Sequence, residues 1–181
     1  MTEAQAIQAE PRIRVLYSAS QIATRVRQMG LDVARRAGRR PLFVGVLKGA
    51  CMFHCDLARA TALDVELDFM TVSSYGADKS SSGTVQILGD LKTPVEGRHV
   101  VLCEGVVDSG RSVSFLLDLL KSRGPASIQV ATLLDKTPCR KIVVPLDHVG
   151  WTMGDEFVVG YGMDAAEHYR NLPYVGILEE A

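Results

Sequence analysis

The chain has 181 residues, of which 47% are hydrophobic and 23% are charged, and its formal net charge is −1. These values predict one well-buried domain over 12–181, preceded by a frayed N-terminus at 1–11. The near-zero charge argues against a broad nucleic-acid footprint, and no apolar run approaches the roughly 20 residues that cross a membrane. We therefore expect a cytoplasmic protein with neither nucleic-acid nor membrane partners.

The first third of the chain alternates between helical and strand patterns. A helix is predicted from an N-cap at Ser20 to about Gly38, because its apolar residues follow the 3.6-residue period. The apolar run 42–47 has the character of a strand buried on both faces, and a helix over about 50–61 and a strand over 65–72 follow it. This alternation predicts an α/β fold, with a mostly parallel central sheet flanked by helices.

A polar segment over 73–88, punctuated by glycines, interrupts the alternation. Its small polar residues cannot pack a core, so we predict a long mobile loop that is hairpin-like at its ends. One interpretation is a lid that excludes water during a reaction, and the other is a disordered surface insertion.

The segment 99–124 carries the clearest functional signal. An apolar strand ends in two carboxylates, Glu104 and Asp108, and a helix is predicted from near Ser112 to Gly124. The small and hydroxylated residues between them could direct backbone N–H groups and hydroxyls at one anion, with help from the helix dipole. Sugar hydroxyls, a metal ion or a base would each satisfy the carboxylates, so a phosphorylated sugar is the simplest ligand. An ordinary capped turn is the alternative.

Further polar residues are expected at the same edge of the sheet. A strand over 128–134 leads to Lys136, and Lys48 follows an earlier strand, so both lysines should gather where open α/β sheets bind ligands. Gly160 and Gly162 are expected to allow a close backbone approach to a ligand. The four cysteines and four histidines are scattered, so we expect no metal site built from protein ligands alone.

Six short sequence blocks follow one another along residues 12–178. They are Leu47-Lys48-Gly49, Ser73-Ser74-Tyr75-Gly76, Glu104 to Ser112, Leu133 to Lys136, Phe157 to Asp164 and Tyr169 to Pro173. As a set they resemble the hypoxanthine-guanine phosphoribosyltransferase family. The resemblance implies the type I phosphoribosyltransferase fold, with a small hood formed by the N- and C-terminal segments and a mobile active-site loop.

The resemblance also implies a reaction and its partners. A Mg²⁺-dependent enzyme would transfer ribose 5-phosphate from phosphoribosyl pyrophosphate to hypoxanthine or guanine. The products would be IMP or GMP and pyrophosphate. Phosphoribosyl pyrophosphate and a 6-oxopurine base are then the small-molecule partners, and the family implies a homodimer or a homotetramer.

By the same resemblance, the segment after the central strand handles the sugar phosphate. Glu104 would hold the ribose hydroxyls and contact Mg²⁺, directly or through water and substrate. Asp108 would act as the acid or base that faces purine N7. The 5-phosphate would lie in a cradle made by Asp108, Ser109, Gly110, Arg111 and Ser112.

Residues later in the chain would recognise the purine. Lys136 would donate to purine O6, which selects a keto base because an ammonium offers only donors. Phe157 would stack on the base, and the Val158 backbone would read its edge. Asp164, in the same block, would also belong to the purine site and would bind Mg²⁺ with the help of substrate oxygens and water.

The resemblance assigns the leaving group and the lid to three other blocks. Lys48, Gly49 and Arg170 would bind pyrophosphate, and the peptide that precedes Lys48 matches one that is often cis in the family. Ser74 and Tyr75 would close over the reacting sugar and keep water from it.

The chain departs from the family pattern at Gly105, where a second acid usually follows the residue matched by Glu104. Arg111 stands where smaller residues are common, and its charge beside the phosphate cradle could offset part of the loss. Two alternatives follow from the missing acid. The chain could be a nucleotide-sensing regulator that binds RNA, or a paralogue with little activity of its own.

Overall fold

This computed structural model describes residues 12–74 and 85–179 of the chain. The described residues contain nine strands and three α-helices. The strands are β1 (Arg12–Tyr17), β2 (Leu42–Leu47), β3 (Glu66–Ser74), β4 (Val85–Gly89), β5 (His99–Val107), β6 (Ser127–Asp135), β7 (His148–Thr152), β8 (Val158–Val159) and β9 (Val175–Glu179). The helices are α1 (Ala19–Ala34), α2 (Cys51–Ala60) and α3 (Arg111–Ser122). Within the described ranges, none of the helices has the length and apolar character needed to span a membrane.

Six strands form the central sheet, in the order β4-β3-β2-β5-β6-β7. All neighbours from β3 to β7 run parallel, and β4 is antiparallel at the edge. Buried apolar residues occupy most positions of β2, as expected for a strand covered on both faces. The predicted mostly parallel sheet is therefore confirmed. The direction of winding reverses between β2 and β5, which opens a crevice at the carboxyl ends of these two strands.

Helices cover both faces of the central sheet. On one face, Phe53 and Leu57 of α2 belong to a buried cluster that also includes Val26 of α1. On the other face, Leu116 and Leu120 of α3 pack in a second buried cluster. Because each fully buried side chain of this size contributes about 1.5 to 3 kcal/mol, these faces fix α2 and α3 against the strands that precede them.

The N-terminus of α1 lies two residues earlier than predicted. Ser18, not Ser20, is the N-cap, and its hydroxyl accepts the Gln21 N–H at 3.4 Å. The Gln21 side chain in turn accepts the Ser18 N–H at 2.8 Å, which completes a capping box. The helix ends at Ala34, before the predicted stop at Gly38. The apolar period locates the buried face, but either serine could have capped it.

A second sheet, which we call the terminal sheet, consists of β1, β9 and β8 in that order. Ile13 lies opposite Leu178, and Val159 lies opposite Gly176, both in antiparallel pairs. The Tyr17 ring, at the end of β1, stacks on a residue of the central sheet's last strand, Trp151, with 4.0 Å between ring centroids. The terminal sheet therefore packs beside the central sheet and shares its buried cluster.

The polar segment predicted as a loop over 73–88 is paired at both ends. β3 continues to Ser74 and β4 begins at Val85, and the two strands face each other antiparallel, with Ser74 opposite Val85. Residues 75–84, which include Tyr75, lie outside the described residues, as does the N-terminal segment 1–11. The described ends of the polar segment thus pair antiparallel, and the loop itself stays a prediction.

Candidate active site

Three strand ends meet at the crevice between β2 and β5. Lys48 follows β2, Asp108 follows β5, and Lys136 follows β6. Since these strands are parallel neighbours, their carboxyl ends share one edge of the sheet. The structure thus gathers at this rim the polar residues that the sequence predicted there.

Lys136 and Asp108 form an ion pair across this edge. Lys136 Nζ lies 3.3 Å from Asp108 Oδ1, and the exposed fractions of the two side chains are 8% and 53%. The backbone is joined as well, because the Lys136 N–H donates to the Val107 carbonyl at 3.0 Å. A buried cation and an accessible carboxylate therefore stand side by side.

Glu104 lies inside β5, four residues before Asp108, and not at the end of the strand as predicted. A strand rises about 3.3 Å per residue, so the backbones of the two acids are about 13 Å apart. Burial raises the pKa of Glu104 to about 8, although a hydrogen bond from the Gly105 backbone lowers it in part. The carboxyl group is mostly protonated at neutral pH, so it can donate a hydrogen bond as well as accept one.

The predicted phosphate cradle is the connection between β5 and α3. Gly110 adopts a positive φ of 83° at the N-cap position, and α3 begins at Arg111. The N-cap residue Gly110 has no side chain to cap the helix, and the Arg111 N–H donates to Ser109 Oγ at 3.4 Å. The N–H groups of the next residues in this first turn can therefore reach an anion. The Ser109 carbonyl accepts hydrogen bonds from the N–H groups of Lys141 and Ile142 at 3.0 and 2.9 Å. These bonds hold the cradle against the segment that follows β6.

Arg140 supports this cradle, and sequence reasoning did not single it out. Its Nε donates to the Asp108 carbonyl at 3.1 Å, and its Nη2 donates to the Val107 carbonyl at 3.4 Å. The same guanidinium pairs with Asp135, and both side chains are about 15% exposed. In the sequence, Arg140 is only an arginine that follows a predicted strand. In the folded chain, its guanidinium connects the cradle after β5 with the end of β6, where Lys136 follows.

The Lys48–Gly49 segment fits against two glycines. A Cβ at position 105 would stand 2.7 Å from the Gly49 carbonyl oxygen, and a Cβ at position 162 would stand 2.5 Å from the same oxygen. The peptide between Leu47 and Lys48 is cis. Gly162 therefore makes a close backbone approach to the Gly49 carbonyl, and an approach to a ligand stays a prediction.

Gly160 also lies close to another part of the backbone. A Cβ at this position would clash with the Tyr174 carbonyl, so the glycine makes room for the chain that enters β9. Its φ of +94° is also a conformation that side chains with a Cβ rarely adopt. Both glycines thus serve packing within the protein.

A group of four charged residues lies next to Gly49. Arg170 Nη1 donates to the Gly162 carbonyl at 2.8 Å and lies 2.7 Å from Asp164 Oδ1. Glu167 was not singled out from the sequence, yet its carboxylate accepts from Lys48 Nζ at 2.9 Å and from Arg170 Nη2 at 3.1 Å. These two hydrogen bonds, that from Lys48 first, hold the pKa of Glu167 below its usual value. The two predicted pyrophosphate-binding cations therefore converge on one carboxylate.

Phe157 directly precedes β8 of the terminal sheet, and Val158 is the first residue of that strand. The Phe157 side chain is 55% exposed, while Val158 is buried opposite Ile177. The Leu178 N–H donates to the Phe157 carbonyl at 3.1 Å, which fixes the backbone but leaves the ring accessible. An exposed ring of this size is free to stack on a flat ligand.

Asp164 has the chemistry that Mg²⁺ requires. Its Oδ2 accepts the Glu167 N–H at 2.8 Å, and each carboxylate oxygen keeps a further lone pair. Mg²⁺ binds through one or two carboxylates and takes its other ligands from water and substrate phosphates. In the described part of the chain, no group of three or more His, Cys, Asp and Glu residues is arranged to hold a metal. The donor set therefore fits an ion shared with a phosphorylated substrate.

Comparison with known proteins identifies the class to which this fold and site belong. A family profile described as a phosphoribosyl transferase domain matches residues 16–166, so the chain belongs to the phosphoribosyl transferase domain family. The central sheet with flanking helices is the type I phosphoribosyltransferase fold.

Particular relatives narrow the similarity further. The hypoxanthine-guanine phosphoribosyltransferase of Bacillus subtilis (strain 168) is 46% identical over 169 residues, which cover 93% of this chain and 94% of that protein. The crystal structure of a hypoxanthine phosphoribosyltransferase from Staphylococcus aureus matches with a TM-score of 0.87 and 38% identity, over 92% of this chain and 91% of that chain.

A third relative is much longer than this chain. The bifunctional protein TilS/HprT of Listeria innocua is 48% identical over 167 residues, which cover 92% of this chain but 26% of that protein. The chain thus spans about a quarter of the length of this relative. The family assignment holds over the shared part.

Proposed function

We propose that the chain transfers ribose 5-phosphate from phosphoribosyl pyrophosphate to hypoxanthine or guanine, with formation of IMP or GMP and release of pyrophosphate. The ion pair between Lys136 and Asp108, 3.3 Å apart beside the uncapped N-terminus of α3, is the observation that carries this proposal. It combines a cation that only donates, a carboxylate that can exchange a proton, and an anion cradle. The names of the Bacillus subtilis and Staphylococcus aureus relatives support the same reaction.

In this proposal the backbone N–H groups and hydroxyls from Ser109 to Ser112 bind the 5-phosphate, with the α3 dipole adding to the attraction. Glu104, whose pKa is raised by burial, hydrogen-bonds the ribose hydroxyls. Together these contacts fix the sugar with its anomeric carbon toward the purine site, which lowers the entropic cost of the transfer.

Asp108 and Lys136 then act on the purine. Asp108 accepts or returns a proton at purine N7 as N9 forms its bond to the anomeric carbon. Lys136 donates to O6, which an amino purine such as adenine lacks. Phe157 stacks on the base and the Val158 backbone reads its edge, and these contacts orient N9.

Lys48, Gly49 and Arg170 bind the leaving pyrophosphate in this proposal, because its negative charge grows as the bond between the anomeric carbon and the pyrophosphate oxygen breaks. Asp164 holds Mg²⁺, and Glu104 contacts it directly or through water and substrate. When bound, the ion neutralises charge on the pyrophosphate oxygens. Ser74 and Tyr75 are proposed to cover the reacting sugar and exclude water.

We also propose that the chain forms a homodimer or a homotetramer, and a cytoplasmic location stays a prediction. A decisive assay incubates the purified chain with phosphoribosyl pyrophosphate, Mg²⁺ and one base at a time. We expect pyrophosphate to appear in equal amount with IMP from hypoxanthine or with GMP from guanine, and no product from adenine. Salt-sensitive retention of RNA without product would instead identify a regulator, and activity only after mixing with a relative would identify an idle partner.

A further inference from the structure

We propose that Glu167 sets the affinity of this site for pyrophosphate by competing for the two cations that bind it. The inference rests on the proposed function, which assigns Lys48 and Arg170 to pyrophosphate. It adds a residue that neither the family blocks nor the spacing of the sequence assigned to any ligand.

The competition follows from where the Glu167 carboxylate lies. One carboxylate oxygen accepts from Lys48 Nζ at 2.9 Å, and the other lies 3.1 Å from Arg170 Nη2. A phosphate oxygen would need the same N–H donors, because charge-assisted hydrogen bonds to Lys and Arg use carboxylate and phosphate oxygens alike. In the described structure Glu167 therefore holds the position of an anion between the cations.

The backbone directs Glu167 to this position. Ala165 and His168 pair antiparallel, and the two residues between them, Ala166 and Glu167, have φ of +48° and +69°. Two central residues with positive φ are the mark of a tight hairpin turn that normally favours glycine or asparagine. The Glu167 N–H also donates to Asp164 Oδ2 at 2.8 Å. The carboxylate is thus presented by a short, strained turn and not by a freely moving loop.

Arg170 does not depend on Glu167 for its place. It donates to the Gly162 carbonyl at 2.8 Å and pairs with Asp164 at 2.7 Å, and only about a fifth of its side chain is exposed. When pyrophosphate displaces the Glu167 carboxylate, the guanidinium keeps both of these contacts. Loss of the Glu167 charge should therefore free donors without disordering the site.

This arrangement predicts weaker product retention than the cations alone would give. Pyrophosphate carries several negative charges and outcompetes a single carboxylate, but it must first break two exposed ion pairs. Exposed pairs are weak, so the expected change in affinity is about two- to tenfold. Where product release limits turnover, the same competition speeds the catalytic cycle.

The test compares the dissociation constant of inorganic pyrophosphate, measured by calorimetry with Mg²⁺ present, for the unmodified chain and Glu167→Gln. Glutamine keeps the size of the side chain and removes its charge. The control is Glu96→Gln, which removes an exposed carboxylate at the opposite edge of the central sheet. We expect Glu167→Gln to bind pyrophosphate about two- to tenfold more tightly and Glu96→Gln to match the unmodified chain.

Two results overturn the inference. Unchanged pyrophosphate binding in Glu167→Gln would show that the carboxylate does not compete, and weaker binding would show that it positions Lys48 for the ligand. Either result leaves the proposed function intact if the unmodified chain binds pyrophosphate and forms nucleotide. An unmodified chain that makes no nucleotide and binds no pyrophosphate would remove the proposed function and the inference together.

Discussion

Lys136 Nζ lies 3.3 Å from Asp108 Oδ1, and the lysine is buried while the aspartate faces solvent. The Lys136 backbone N–H donates to the Val107 carbonyl, and the packing around the buried side chain restricts its movement. The pairing of β5 with β6 therefore places the backbones of these two residues side by side at the carboxyl ends of their strands.

Replacing Asp108 with asparagine should remove most of the turnover. Asparagine keeps the size of the side chain but cannot take up a proton, and general acid–base catalysis contributes about 10²- to 10⁴-fold. Phosphoribosyl pyrophosphate should still bind with nearly unchanged affinity, because the backbone of the cradle is intact. Steady-state rates and direct binding check both expectations, with exposed Asp118→Asn on α3 as the control. Full turnover in Asp108→Asn would contradict the role in proton transfer.

Lys136→Met should weaken the preference for 6-oxopurines. Methionine retains an apolar stem but no donor, and a hydrogen bond to a charged group contributes about 1.5 to 3 kcal/mol, or at least tenfold. The measurement is kcat/KM for hypoxanthine and guanine relative to adenine. Lys121→Met, on the exposed last turn of α3, should leave the ratio unchanged. If Lys136→Met keeps the same ratio, another group reads O6.

Gly105→Asp, which introduces the acid usual in the family, should not increase activity. The added Cβ would stand 2.7 Å from the Gly49 carbonyl oxygen, so the Lys48–Gly49 segment must shift. A displacement near 1 Å can reduce rates by about a hundredfold, and we expect a higher KM for phosphoribosyl pyrophosphate. Gly105→Ala separates the steric effect from the charge and should be impaired in the same direction. A gain with aspartate together with a loss with alanine would show that the chain does miss the second carboxylate.

Arg140→Met should destabilise the protein and loosen the cradle. The substitution leaves the Asp135 carboxylate, whose side chain is 15% exposed, without its counter-charge, which costs up to about 3 kcal/mol and lowers Tm by up to about 6 to 12 °C. Arg140→Lys restores the charge but not the forked contacts to Asp108 and Val107. We therefore expect it to recover stability while the KM for phosphoribosyl pyrophosphate stays raised, measured by thermal unfolding and by kinetics. If Arg140→Lys recovers both the stability and the KM, Arg140 acts only as a counter-charge for Asp135.

The raised pKa of Glu104 predicts a pH-dependent stability. Its ordinary value is 4.5, and burial raises it to about 8 in the folded protein. Between these values the folded state holds a proton that the unfolded state releases, so the free energy of unfolding falls as pH rises from about 5 to about 8. The total loss is about 3 to 5 kcal/mol. Glu104→Gln should remove this slope in denaturant titrations at pH 5 and pH 8. Parallel slopes in both proteins would assign the dependence to other groups.

Much of the central sheet could be predicted because it depends on local patterns. The apolar run at 42–47 is β2, and the apolar spacing after Ser112 correctly indicated α3, which starts at Arg111. Parallel strands place their carboxyl ends together, so Lys48 and Lys136 could be assigned to one edge of the sheet from the sequence alone. Local sequence was sufficient wherever burial alone decides the structure.

The contacts between distant segments could not be predicted in this way. Arg140 and Glu167 are ordinary surface-type residues in the sequence, and only the fold brings them to the cradle and to the cation pair. From the sequence, Gly105 was interpreted as the loss of an acid that is usual in the family. In the structure, the Gly49 carbonyl occupies the space that a side chain at this position would need. Such contacts depend on how two backbones approach, and no periodicity in either segment encodes that approach.

The pairing of β1 with β9 has a consequence for synthesis on the ribosome. Arg12 in β1 lies opposite Glu179 in β9. β1 therefore cannot pair with β9 until nearly all of the described residues have been synthesised. The central sheet, built from β2 to β7, can assemble earlier, since its strands follow one another along the nascent chain. The loop that carries Asp164 and Arg170 lies between β8 and β9, which pair with each other. A chain stalled before β9 would therefore contain the proposed phosphate cradle but lack the strand pairing that holds the ends of the loop with the proposed pyrophosphate-binding arginine.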